Sequence, residues 1–182
     1  LDEWSSDEAL EKIGRVFAEL LQGFGVRILA YDMYPNAEAA RQLHIEYVSL
    51  EELYRNSDVI SLHCPLTPEN VHMINDEAIG MMKHGVYIIN TSRGKLIDSA
   101  ALIAGLKSRK IGGAGLDVYE EESDYFFEDR SGYAIDDDIL ARLMTFPNVL
   151  ITSHQAFFTR EAMTNISNVT LKNIEDFVKG RE

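Results

Sequence analysis

Val86-Tyr87-Ile88-Ile89-Asn90-Thr91-Ser92-Arg93-Gly94 leads into Asp98, a helix-opening residue, and then into a second apolar run, Gly113-Ala114-Gly115-Leu116-Asp117-Val118. This stretch decides the fold class. A β-branched run, a capped helix to about Ser108 and another short apolar run read as strand, helix, strand, the unit that forces neighbouring strands to lie parallel. The pattern repeats on both sides. Upstream, Val26–Tyr31 reads as a strand ending at Asp32, Asn36–Leu43 as a short helix, Ile45–Val48 as a strand, and Ser49-Leu50-Glu51-Glu52 as a capping box. Asp58–Leu62 is a further strand and Asp76–Lys83 a further helix. Downstream, Ile139–Met144 reads as a helix, Val149–Thr152 as a strand and Arg160–Val178 as a long final helix. At the N-terminal side, Leu10, Ile13, Phe17, Leu20, Leu21 and Phe24 keep helical spacing, with Gly25 as the stop. Alternating strands and helices predict an α/β chain with a doubly wound parallel sheet.

Composition narrows the partners. The formal charge of −13 over 182 residues argues against nucleic acid and anionic membrane surfaces, which call for clustered Lys and Arg. No apolar run approaches the ~20 residues of a membrane span, and the acidic start Leu1–Glu8 lacks the pattern of a signal peptide. The single cysteine, Cys64, rules out an internal disulfide and fits a reducing, cytoplasmic setting. No His, Cys or carboxylate spacing suggests a metal site.

Three stretches each follow an apolar strand: Asn90–Gly94, Gly115–Glu122 and Ser153-His154-Gln155-Ala156-Phe157. Ligands of open α/β sheets bind outside the C-terminal strand ends, so Arg93, Glu122 and His154 can converge. An Arg offers a fixed fork to a carboxylate, a His passes a proton near neutral pH, and a neighbouring carboxylate orients the imidazole. The set suits proton transfer on a small anionic substrate. Each residue also has a plainer reading. Arg93 could simply start a helix, Glu122 sits in a solvated acidic run, and Asp32 could begin a turn. His63 is open between loop packing and ligand contact, and Cys64 is more often a small buried hydrophobe than a reactive thiol. His44, His72 and His84 read as structural or solvent-facing.

The ordered motifs His63-Cys64-Pro65-Leu66-Thr67, Asn90-Thr91-Ser92-Arg93-Gly94, Gly115–Glu120 and His154-Gln155-Ala156-Phe157 resemble those of the D-isomer-specific 2-hydroxyacid dehydrogenases. The segment Phe126–Gly132 is similar to the D-lactate branch. The resemblance covers roughly residues 12–182. It implies a Rossmann-like NAD-binding domain and hydride transfer between NAD and a D-2-hydroxy acid, D-lactate and pyruvate being the expected pair. By that likeness Arg93 holds the substrate carboxylate, His154 is the acid/base, Glu122 pairs with His154, and Phe157 lines the substrate pocket. Asp32 would take the adenosine ribose and favour NAD over NADP. Ile13, Gly14, Cys64, Pro65, Asn70, Thr91 and Asp117 fall at cofactor-contact positions. A homo-oligomer is the expected assembly.

The chain departs from the pattern at its start. Of the fingerprint G-x-G-x-x-G only the third glycine remains, as Gly14; Ala9 and Glu11 hold the first two positions. Residues 1–11 are therefore set apart as an atypical acidic segment. Residues 12–182 are expected to form an N-terminally truncated NAD-binding domain that carries the C-terminal helix of an otherwise absent substrate domain. The first, central strand and its glycine turn are expected to be missing, which leaves the strands at 26–31 and 58–62 without a bridge. The rival expectation is a non-catalytic remnant, a binding or assembly module that keeps the motifs.

Overall fold

The computed structural model describes the backbone of residues 6–121 and 136–180, with side chains from Lys12 onward. In chain order the elements are α1 (Ser6–Gln22), β1 (Ile28–Ala30), α2 (Ala37–Gln42), β2 (Ile45–Tyr47), α3 (Leu50–Asn56) and β3 (Val59–Leu62). Then come α4 (Asp76–Met81), β4 (Val86–Asn90), a 3-10 turn (Gly94–Leu96), α5 (Ser99–Lys107), β5 (Ile111–Leu116), α6 (Asp138–Met144), β6 (Val149–Ile151) and α7 (Arg160–Val178). Local chemistry starts most of the helices. Ser49 Oγ accepts the Glu52 amide at 3.2 Å, Asp98 Oδ1 accepts Ala100 and Ala101 at 2.9 and 3.0 Å, and Asp137 Oδ1 accepts Ile139 and Leu140 at 2.8 and 3.0 Å. Each such cap is worth ~1 kcal/mol.

All strand pairs are parallel, but they form two sheets. One is β1-β2; the other is β3-β4-β5-β6. Among the described residues no strand bridges β1 to β3, so both keep an unpaired edge. The four-stranded sheet carries the core. Ile74, Val86, Ile88, Leu96, Leu102, Ile111 and Leu143 are fully buried between it and α4, α5 and α6. Gly105 lets α5 lie close on β5, because a Cβ there would fall 2.6 Å from Ile111 Cδ1. β1 and β2 contribute only partly buried residues, apart from the solvent-facing Glu46.

Most boundaries shift by one or two residues from the sequence reading, and two of the differences have a distinct cause. β5 spans Ile111–Leu116, earlier than the 113–118 read from the apolar run, because Ile111 pairs with Val86 and Gly113 with Tyr87 of β4, Gly112 falling at a register shift between them. The start of α1 differs more. Residues 6–11, set apart as an atypical segment, belong to that helix. Ala9, Leu10 and Glu11 are strong helix formers by type. The residues that displace the glycine fingerprint are the ones that favour a continuous helix. On α1, Ile13, Val16 and Leu20 stay solvent-exposed, as does Phe24 just after it, and α7 has no buried residue. No helix among the described residues is long and apolar enough to cross a membrane.

Candidate active site at the C-terminal edge of the sheet

The last residues of the four strands stand in one row: Leu62 opposite Asn90, Asn90 opposite Leu116, and Leu116 opposite Ile151. The loops that follow therefore leave at one level. Arg93 lies just past β4 and His154 just past β6, with β5 between them. Two strand spacings of ~4.8 Å separate the two exits.

The β4 exit is a tight turn built by its own side chains. Buried Asn90 takes the Ser92 amide on Oδ1 at 3.0 Å and donates Nδ2 to the Arg93 carbonyl at 2.9 Å. Buried Ser92 donates Oγ to the Cys64 carbonyl at 2.6 Å, which ties this turn to the β3 exit. Arg93 is left exposed at the tip, and its Nη1 donates to the Ser92 carbonyl at 2.9 Å. A guanidinium has five N–H donors, so an anion can still be met by the fork.

Asp117 organises the β6 exit. It is 3% exposed. Its Oδ1 accepts the Thr152 hydroxyl and the Gln155 amide (2.8 Å), and its Oδ2 accepts the Ala156 amide at 2.9 Å. The His154 amide donates to the Asp117 carbonyl. Ser153 and His154 both take left-handed backbone, with φ of 53° and 56°. That conformation is costly for residues other than glycine and persists where surroundings over-determine it. Burial alone would raise the Asp117 carboxyl. The bonds from Thr152, Ala156 and Gln155, together with the charge of His154, outweigh it and hold the group below the usual carboxylate range. The residue read from sequence as a cofactor contact thus spends both oxygens on the turn that presents His154.

The remaining positions divide. Asn70 stitches the β3 exit, taking the Thr67 amide at 2.8 Å and donating to the Pro65 carbonyl at 2.7 Å. Cys64 is half-buried, 3.8 Å from Met73 Sδ, and burial pushes its thiol above the ordinary range. His63 bonds Ser61 at 2.9 Å and packs under Phe17 and Gly14 of α1; burial lowers its pKa and keeps it neutral. Asp32 lies just past β1 and takes the Tyr34 amide at 2.8 Å on one oxygen. Thr91 is exposed beside Arg93. Phe157 is half-exposed and meets Phe158 edge-on at 6.3 Å. Ile13 and Gly14 sit inside α1. Only the first four amides of a helix are free for an anion, and here those precede Leu10. Glu122 and the segment Phe126–Gly132 lie outside the described residues. Among the described residues no cluster is arranged for a metal ion.

Sequence reading missed two pairs. His72 Nε2 lies 2.5 Å from Glu120 Oε1, and Tyr119 donates its hydroxyl to Asp137 Oδ2 at 2.7 Å. Burial and the adjacent Asp137 carboxylate push the Tyr119 phenol far up, so it stays a donor. Neither pair leaves a local signal, since the partners stand 48 and 18 residues apart.

The family model for the NAD-binding domain of the D-isomer-specific 2-hydroxyacid dehydrogenases matches residues 9–156. Among curated relatives, D-lactate dehydrogenase of Escherichia coli (strain K12) is 57% identical over 169 residues, covering 93% of this chain and 51% of that protein. An aromatic 2-oxoacid reductase of Clostridium sporogenes is 49% identical over 167 residues, covering 91% of this chain and 50% of that protein. Among solved structures, the pyruvate reductase of Chlamydomonas reinhardtii superposes with a TM-score of 0.88 at 46% identity, over 93% of this chain and 52% of that one. A D-lactate dehydrogenase from Aquifex aeolicus, solved with NAD and lactic acid, gives 0.83 at 40% identity, over 92% and 51%. The chain spans about half the length of the curated relatives it matches.

Proposed function

The chain belongs to the D-isomer-specific 2-hydroxyacid dehydrogenases, within their NAD-binding domain, and on that premise we propose that it supplies the anion fork and proton carrier for interconverting a D-2-hydroxy acid, D-lactate, and its 2-oxo acid. The level row of strand ends carries this reading, because it sets Arg93 and His154 on one edge with a rigid turn under each. Arg93 binds and orients the substrate carboxylate. His154 gives its proton to the C2 oxygen when the 2-oxo acid is reduced and takes it back in the other direction. Glu122 pairs with His154 and favours its charged form. Phe157 lines the side-chain pocket. The hydride is the chemistry of the dinucleotide.

The residues fit NAD in part. Asp32, Thr91, Cys64 and Pro65 stand at strand exits where a dinucleotide lies across such a sheet, and Asp32 favours NAD over NADP. The pyrophosphate turn does not fit, since the amides of Ile13 and Gly14 are internal to α1. This observation favours a second element of the reading: residues 1–182 alone bind dinucleotide weakly and turn over little, as a binding or assembly module would. A cytoplasmic setting and self-association through the free edges of β1 and β3 belong to the same proposal.

The test is calorimetric titration of the 182-residue chain with NADH, then with pyruvate, and hydrogen exchange to map each. Pyruvate protection centred on residues 91–94 and 152–157 supports the assignment. Protection confined to other surfaces refutes it. Tight NADH binding would refute the weak-cofactor element alone.

A further inference from the structure

The peptide joining Tyr119 to Glu120 packs against the residue that follows Arg93. It lies so close to Gly94 that a Cβ on Gly94 would fall on the Tyr119 carbonyl and within 2.6 Å of the Glu120 nitrogen. From there the Glu120 side chain turns back across the segment that follows Arg93. Its Oε2 accepts Ser99 Oγ at 2.9 Å and the Ser99 amide at 3.4 Å, at the start of α5. Its Oε1 meets His72 Nε2 at 2.5 Å. His72 is itself laced to that segment: its amide donates to the Lys95 carbonyl at 2.8 Å, and the Ile74 amide to the Leu96 carbonyl at 3.0 Å. Residues 94–99 are thus gripped between the 119–120 peptide and the 72–74 strip. The space left between Gly94, Ser99, Tyr119 and Glu120 is about 10 Å³, no more than a single ordered water needs.

We propose that Glu120 is a positioning residue for Arg93, with His72 as its second anchor: its carboxylate clips the β5 exit across the Arg93 turn and sets the height of the guanidinium above the strand ends. This rests on the reading of Arg93 as the carboxylate fork. Glu120 itself touches neither substrate nor cofactor. A group that merely capped α5 would act on stability. A clip acts on the order of the Arg93 turn and on anion affinity, because a fork held ready loses less freedom on binding.

The experiment uses the whole chain and pyruvate without dinucleotide, so no reaction intervenes. Hydrogen exchange is followed at residues 90–99, and the pyruvate dependence of protection there gives an affinity. In Glu120→Ala, exchange at Arg93 and Gly94 should quicken and pyruvate affinity fall about tenfold through lost preorganisation. Glu120→Gln, which keeps an acceptor for Ser99 and the same length, should stay within about twofold of the parent. His72→Asn serves if Glu120→Ala fails to fold. Asn tolerates the left-handed backbone at His72 (φ 55°) but is too short to reach Glu120, so the loss should be partial and in the same direction. Unchanged exchange and affinity in Glu120→Ala, or in His72→Asn in its place, overturns the role of Glu120 alone. A parent chain with no pyruvate protection at Arg93 overturns the fork reading and this inference with it.

Discussion

Replacing Asp117 by Asn should loosen the His154 turn while leaving the sheet folded. The carboxylate receives three bonds from residues 152–156 and is 3% exposed. Asn keeps one carbonyl acceptor and the size of the side chain, but its NH2 faces the Ala156 amide in place of Oδ2. A bond to a charged acceptor is worth about 1.5–3 kcal/mol, and the orphaned donor adds its own desolvation. A local loss of about 2 kcal/mol follows, and at 1.36 kcal/mol per tenfold this is roughly 30-fold faster opening. Hydrogen exchange read by mass spectrometry should therefore quicken at 152–156 by that order and change little at 86–90, the buried strand β4. Asp117→Ala leaves all three donors unpaired and should lower the urea midpoint as well. The pH dependence has one sign. Because the folded carboxyl lies below its ordinary value of ~3.9, its stabilisation is present above that pH and is lost as pH falls through the depressed folded value. The turn should hold unchanged from pH 7 to pH 5 and loosen only in stronger acid. Unaltered exchange at Gln155 and Ala156 in Asp117→Asn would show that the carboxylate does not hold this turn.

Other outcomes follow from the same geometry. Asp32→Ala should narrow a preference for NADH over NADPH, measured by fluorescence titration; equal affinities of the parent chain for both cofactors would end that claim. In a chimera that joins this chain to the remaining half of the Escherichia coli relative, His154→Ala should cut turnover by about 10²-fold or more with NADH binding kept. In the same chimera Arg93→Lys should chiefly raise the pyruvate KM, since a point charge cannot replace the fork; normal turnover by His154→Ala would remove it as the acid/base. Residues 1–182 alone should associate in light scattering and reduce pyruvate far below an ordinary ~10 per second, and a monomer working at that rate would refute the account of α1 and the open edges. Iodoacetamide should label Cys64 slowly at pH 7 and faster as pH rises, because burial keeps the thiol protonated; rapid labelling at pH 7 would contradict that burial.

The amino-acid sequence alone determined the features whose physics is local. Strand, helix and strand around Arg93 follow from an apolar run, the Asp98 cap and a second run, all read within a few residues of one another. The order of motifs was enough to name the family, and it was legible that residues 1–8 carry no apolar strand pattern. Tertiary structure decided what depends on partners far along the chain. Asp117 looks like a ligand group until the 152–156 turn arrives, 35 to 39 residues later, and takes both its oxygens. Glu120 looks like one more solvated acid until His72 and Ser99 close on it. The start of α1 lay between these cases. Its residues read as a broken glycine turn against a family pattern, yet residues 6–11 are helix, where the propensity of Ala9, Leu10 and Glu11 favours it. A side chain's type sets what it can bond, and only folding sets which of those bonds are used before any ligand arrives.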